Sequence, residues 1–478
     1  MIANHGGLDI AEAVRLQQID QLKDSAHTPH IARRGIKFNI PLDVRTPSYS
    51  DNADAAQANI PEMWSFDFWR EFIDELARHR YNTLSLWNLH PFPSMVKVPE
   101  FPEIALQDVQ RTRVPMDETY SHNGTDMVRP ELLKNIETVR KMTIEDKIRF
   151  WRDVMQYAKD RGISTYVITW NIFTFGTGGK YGITPAQDNL KTIEYFRASV
   201  REMILTYPLL AGIGVTAGEE MRNRNDEFSK EKWLWKTYGE GVRDALKIQP
   251  GRKVDFIHRY HQTAQGEIFN EFKDYPGTFD LSFKYSIAHM YSIPNPPYIQ
   301  EVLQQLPPGK RTWLTVRNDD IYSFRWGNPA YAREYIKNIP PADKIAGFYM
   351  GPDGRAGFGN FEAVVEVMAR HGCDALLLAG EQRVGSAVHW VTAWGVTTEA
   401  LVVFQPAERD ALFIEHYNHL PNARRMALGA EVHWAQRKGA RLAIEELRRR
   451  GARRVGFIGN ASWSKMKALA EAFDLVDL

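Results

Sequence analysis

A chain of 478 residues with 44% apolar and 25% charged side chains has the make-up of a folded globular protein and excludes disorder. At ~150 residues per domain it allows one large domain with an appendage, or as many as about three. Sixty basic side chains against 59 acidic ones leave a formal charge of +1, with no basic excess for nucleic acid or an anionic membrane surface. The single cysteine, Cys373, excludes an internal disulfide and a cysteine-built zinc site.

The N-terminus has no charged start followed by an apolar stretch of about 7–15 residues, so no secretory leader is read. No uncharged apolar run approaches ~18 residues, so no membrane span is expected. The chain as given reads as soluble and cytoplasmic. The 13 Trp, 19 Tyr and 24 Phe serve either core packing or a cleft for a flat, hydroxylated ligand whose C–H faces stack on rings.

After an N-terminal extension (1–33), apolar runs alternate with helical periodicity. Runs at 35–43, 81–91, 163–171, 211–219, 254–261, 278–286, 311–319 and 345–354 read as strands. Between them, 68–80, 143–162, 188–207, 229–248, 266–274, 298–306 and 329–338 have helical spacing. Thr143 with Asp146 three residues on forms a capping-box start, and Gly162 closes that helix. Eight strands with helical crossovers predict a parallel (β/α)8 TIM barrel over 34–354. An open doubly wound sheet is disfavoured because no glycine-rich fingerprint follows the first strand. The rhythm breaks after residue 354. Residues 355–478 read as the eighth helix and an additional mostly helical C-terminal region, with DALLLAG and RRVGFIG as short strands or buried helical turns.

In such a barrel, chemistry sits at the C-terminal ends of the strands. Those ends carry Trp87, Asn88 and His90 on strand 2, Trp170 and Asn171 on strand 3, and Glu219 and Glu220 on strand 4. They carry His258, Arg259 and His261 on strand 5, Lys284 on strand 6, Arg317, Asn318, Asp319 and Asp320 on strand 7, and Asp353 after strand 8. Alternation turns Ile36, Tyr166, Ile168, Leu281 and Leu314 toward the helices. It leaves Lys37, Asn39, Thr169, Asn171, Ser282, Lys284, Thr315, Arg317 and Asp319 inward. Cations beside carboxylates in a barrel interior form either an internal salt-bridge network or a functional site.

Two carboxylates across an aromatic-lined cleft suit glycoside hydrolysis, in which one donates a proton to the leaving oxygen and the other acts as base or nucleophile. Glu219 or Glu220 is the candidate acid, and Asp319 or Asp320 the candidate base or nucleophile, with Asp353 in reserve. Trp87, Asn88, His90, Trp170, Asn171, His258, Lys284, Arg317, Asn318 and Asp353 are candidate substrate contacts. His258 and His261 face opposite sides of a strand, so no shared metal is expected, and GTGGKYG lacks the spacing of a phosphate loop. No cofactor is called for.

The strings RRGIKFNIPLDVRTPSY, LSLWNLHPFPSMVKVPEFPE, YVITWNIFTFGTGGKYGIT, GIGVTAGEEM, FIHRYHQT and TVRNDDIYSFRWG resemble bacterial barrel glycoside hydrolases similar to α-glucuronidases and hexosaminidase-like barrels. The resemblance covers about 33–353. It implies a general-acid role for Glu219, directly after Gly218, an acidic base at Asp319 or Asp320, and a uronate carboxylate held by Lys284 and Arg317. Such proteins carry a leader and a small N-terminal domain, so secreted or periplasmic relatives are implied. The expected activity is hydrolysis at a glycan end, of an acidic or uronic sugar, with an oligosaccharide or glycoside as partner. The alternatives are a non-catalytic carbohydrate-binding barrel, or a barrel lyase, isomerase or aldolase using Lys284.

Overall fold

The computed structural model describes residues 28–48, 59–114, 130–218, 220–283, 298–316, 329–350, 368–381, 386–392, 394, 399–406, 408–427, 430–459 and 461–478. They form two compact units. The first holds the barrel strands, and the second holds the residues from 368 onward together with helix Pro329–Lys337. Among the described residues no helix is long and apolar enough to cross a membrane.

The expected eight strands are present: β1 (Arg34–Asn39), β2 (Thr83–Asn88), β3 (Ser164–Trp170), β4 (Leu210–Thr216), β5 (Asp255–Tyr260), β6 (Phe279–Phe283), β7 (Thr312–Val316) and β8 (Ile345–Met350). They close as a parallel barrel in the order β1-β8-β7-β6-β5-β4-β3-β2. The crossovers include α1 (Phe66–Arg78), α2 (Ile144–Asp160) and α3 (Leu190–Thr206). A further helix, α4, runs from Lys230–Leu234 through a π turn, Trp235–Gly239, into Glu240–Ile248. Their ends follow local chemistry. Ser65 caps α1, the Thr143–Asp146 capping box opens α2, and the Asn189 side chain accepts from Lys191 and Thr192 N–H at the start of α3. Gly162, at φ +71°, ends the turn after α2 in the left-handed region that glycine enters without a Cβ penalty. The long loop after β2 contains an antiparallel ribbon of Val109–Thr112 and Ile136–Arg140. Buried Asp43 accepts from Gln110 N–H at 2.9 Å, and buried Lys147 donates to the Leu106 and Asp108 carbonyls at 2.9 and 2.5 Å, fastening that loop to β1 and α2.

The barrel interior is filled by large side chains from some strands set against glycines from others. Tyr166 and Ile168 of β3 lie in register with Gly212 and Gly214 of β4. A Cβ on Gly212 would sit 2.8 Å from the Tyr166 ring, and one on Gly214 would sit 2.5 Å from Ile168 Cδ1. The inward assignment therefore holds for Lys37, Ser282 and Thr315 and is reversed for β3. Tyr166, Ile168 and Trp170 face the interior, and Thr169 faces α4, its hydroxyl 2.6 Å from the Tyr238 hydroxyl. At the N-terminal end of the barrel, Arg33 pairs with Asp255 at 3.0 Å and Asp280 at 3.2 Å. Arg311 reaches Asp280 at 3.2 Å, and the Tyr166 hydroxyl donates to Asp255 at 2.9 Å.

The second unit departs from the expectation of a mostly helical region. Strands β9 (Ala375–Glu381), β10 (Glu399–Phe404), β11 (Asp410–Ile414), β12 (Ala430–Trp434), β13 (Arg454–Gly459) and β14 (Asp474–Asp477) form one sheet in the order β12-β11-β10-β9-β13-β14, with β10 antiparallel to both neighbours. Leu377, Val403 and Phe457 pack with Ala443, Leu447 and Leu469 on one face, and Leu376, Leu378 and Leu412 pack with Val388 and Ala423 on the other. The short runs DALLLAG and RRVGFIG are strands covered by helices on both faces, so residues of both parities, such as Leu376, Leu377 and Leu378, are apolar and buried.

Candidate active site

The C-terminal half of the barrel interior is an aromatic cage around two cations. Trp87 and Trp170 meet edge to face at 5.3 Å, Trp87 meets Tyr349 at 5.6 Å, and Tyr349 stacks on Trp313 at 5.6 Å. Trp87 Nε1 donates to Ser85 at 2.7 Å, and the Ser282 and Tyr349 hydroxyls are hydrogen-bonded to each other. Lys37 Nζ lies 4.8 Å from the Trp87 centroid, and the Arg259 guanidinium lies between Trp87 and Trp170 at 5.3 and 5.7 Å. Both cations are only 2% exposed. Among the described residues Arg259 Nη1 has no hydrogen-bond partner, and neither do the buried Thr216 and Thr315 hydroxyls.

The candidate residues separate into three groups. Trp87 and Trp170 line this cage. Glu220 is exposed just beyond β4, while Glu219, Lys284, Arg317, Asn318, Asp319, Asp320 and Asp353 lie outside the described residues. Asn88, His90, Asn171 and His258, expected as substrate contacts, are each hydrogen-bonded within the chain. Asn88 donates to the Ile40 and Thr46 carbonyls at 2.8 and 3.1 Å and accepts from His90 N–H at 2.9 Å. His90 Nδ1 donates to the Phe175 carbonyl at 2.5 Å, which leaves Nε2 to accept from Tyr195 at 3.2 Å. Burial pushes its pKa down to about 4, against the opposing bond to Phe175. Asn171 donates to the Ala217 carbonyl at 2.9 Å and to that of Gly218, and accepts from Ile172 N–H at 2.6 Å. His258 faces away from the interior, toward Glu231, with Nε2 2.8 Å from its carboxylate.

These bonds show how the strand ends are built. Asn171 holds the β4 exit at Ala217 and Gly218. Buried Gln187 holds Arg222 beyond it, accepting from its N–H at 2.7 Å and donating to its carbonyl at 3.3 Å. Arg259 was read at the end of strand 5 but was not among the candidate site residues. It shares the inward parity of Asp255 and Ile257, and that parity was the available signal. Among the described residues no cluster of three His, Cys, Asp or Glu could hold a metal ion.

No family model and no curated protein sequence matches the chain. Among solved structures, the chain is similar to a GH138 enzyme described as targeting pectin rhamnogalacturonan II, with a TM-score of 0.55 and 19% identity over 72% of this chain and 37% of that one. It also aligns with PbGH5A, a glycoside hydrolase family 5 enzyme from Prevotella bryantii B14 (TM-score 0.39, 10% identity, 69% of this chain and 92% of that one). A third is the GH20 β-N-acetylhexosaminidase from Streptomyces coelicolor A3(2) (TM-score 0.35, 14% identity, 69% and 61%). The fold is thus a (β/α)8 barrel shared with the GH138 enzyme. The chain spans little more than a third of that protein's length.

Proposed function

We propose that residues 34–354 form the catalytic barrel of a glycoside hydrolase that acts at a glycan end and releases an acidic, uronic-type sugar. Arg259 is the observation that supports this most. Its Nη1 is buried with no hydrogen-bond partner among the described residues, and in this reading a substrate carboxylate supplies one. Lys37, on the same Trp87 ring, adds a second positive charge. Flat aromatic walls suit the C–H faces of a sugar, and the buried Thr216 and Thr315 hydroxyls suit its oxygens. In this reading Glu219 or Glu220 donates the proton, Asp319 or Asp320 serves as base or nucleophile, and Lys284, Arg317, Asn318 and Asp353 complete the pocket. Carboxyl groups ~5–5.5 Å apart would give retention, and ~6.5–9.5 Å inversion.

The test is a panel of aryl uronides and matching neutral glycosides, with wild type, Glu219→Gln and Asp319→Asn. Cleavage of uronides only, lost in both variants, is expected. Wild-type rates in both variants would overturn the carboxylate roles. Uronate binding without product would favour a non-catalytic binding barrel.

A further inference from the structure

We propose that Glu231, on the first turn of α4, is a positioning residue that sets the turn carrying Arg259 and, through it, the exit of β4. The consequence for binding rests on the uronide reading above. The clamp itself rests on geometry.

The Glu231 carboxylate is 1% exposed, and both of its oxygens are taken by residues flanking Arg259. One oxygen is 2.8 Å from His258 Nε2 and the other accepts from the Thr263 hydroxyl at 2.5 Å. The neighbouring Lys230 donates to the Gln262 carbonyl at 2.8 Å. Gln262 sits at φ +54°, in the left-handed region, which costs a non-glycine residue about 1–2 kcal/mol and needs an external hold. Two adjacent side chains of α4 therefore grip 258, 262 and 263, and Arg259 lies inside that bracket. The turn also presses on β4. A Cβ on Gly218 would lie 2.8 Å from Gln262 Cβ and 2.8 Å from the His261 carbonyl oxygen, so the two backbones touch with no slack. Asn171 holds the other side of Gly218. Slackening of the 261–263 turn would move the Arg259 guanidinium and the β4 exit together.

The dyad has a feature that separates positioning from charge. His258 Nδ1 is buried without a partner among the described residues, so the ring is free to change tautomer. Nε2 can donate to a carboxylate or accept from an amide. Glu231→Gln should therefore keep both grips, while Glu231→Ala loses them. Thr263→Val removes one grip and leaves the packing volume nearly intact.

The experiment combines hydrogen exchange with calorimetric titration of D-glucuronate and D-galacturonate on the full chain. Glu231→Ala should speed exchange at both 258–263 and 217–222 and weaken uronate binding by about tenfold, the loss of one charge-assisted contact. Glu231→Gln should stay near wild type, and Thr263→Val should show the alanine pattern at smaller amplitude. Faster exchange confined to 258–263 with unchanged affinity would overturn the proposal. So would a glutamine variant as impaired as the alanine one. If the alanine variant does not fold, an unaltered Thr263→Val overturns it. If wild type binds neither uronate, the uronide reading falls, and the exchange at 217–222 alone decides the clamp.

Discussion

Arg259 lies 5.3 Å from the centroid of Trp87, the ring that also faces Lys37 Nζ at 4.8 Å. A desolvated cation–π contact returns about 2 kcal/mol, whereas taking a charge out of water costs several kcal/mol. The contacts of Arg259 with Trp87 and Trp170 therefore offset only part of that cost. In the uronide reading, a substrate carboxylate at Arg259 Nη1, which has no hydrogen-bond partner among the described residues, makes up the difference.

This asymmetry separates binding from stability. Arg259→Met should lower uronate affinity by about 10–100-fold, the range of a charge-assisted contact, while the variant melts at or above the wild-type temperature. Arg259→Lys should recover only part of the affinity, because the planar fork that matches a carboxylate is lost. Calorimetric titration and thermal melting check both. An Arg259→Met variant that melts well below wild type would make Arg259 a strut of the fold.

His90 gives a prediction in pH. Its pKa is pushed from 6.5 down to about 4 by burial, so between these values the unfolded chain takes up a proton that the folded one refuses. The stability contribution is complete above pH 6.5 and drains away as pH falls toward 4, by about 3 kcal/mol in all. Denaturant unfolding across pH 4–7 should show this slope in wild type. His90→Gln should lack this contribution, so the stability gap between wild type and the variant should widen as pH rises from 4 to 6.5 and then hold.

Much of this architecture was legible in the chain. All eight barrel strands fall within a few residues of their expected spans, because each is a short apolar run set off from segments of helical spacing. Which face of β3 points inward was not legible. Tyr166 and Ile168 are large and apolar and so look helix-facing, but they point inward because Gly212 and Gly214 open the space opposite. Both faces of a barrel strand are buried, and alternation alone does not separate them. The same ambiguity hid the sheet after 368, where DALLLAG has no polar face. The internal bonds of the polar strand ends were not legible either. Asn88, His90 and Asn171 sit at the right level of the barrel, but their side chains fasten loops, and a sequence does not reveal which polar group a backbone carbonyl will claim.

The opposite end of the barrel is closed by charge. Asp280 is 3% exposed and takes both Arg33 and Arg311, whose positive charges oppose the upward push that burial gives its carboxyl. Asp280→Asn keeps the shape and removes the counter-charge, leaving two half-buried guanidinium groups short of a partner. A loss of about 1–3 kcal/mol is expected in urea unfolding followed by tryptophan fluorescence, since Arg33 also lies 5.8 Å from the Trp313 ring. A change below about 0.5 kcal/mol, the range of ordinary surface substitutions, would mean that Asp255 alone satisfies Arg33.

In the second unit, Asp410 should behave in the opposite sense to His90. Burial at the start of β11 pushes its carboxyl from 3.8 up to about 7, with Arg450 pulling the other way. The neutral acid is the form that the fold favours. Its contribution is therefore complete below pH 3.8 and is lost as pH rises through 7, where the folded chain has to carry the charge. Asp410→Asn mimics the neutral acid at every pH. It should match wild type near pH 4 and exceed it at pH 8 by about 1–2 kcal/mol, a figure reduced for the partial solvent exposure of the site. Equal stability of the two proteins at pH 8 would show that Arg450, already bonded to Glu446 and to the Arg409 carbonyl, still neutralises Asp410 in full.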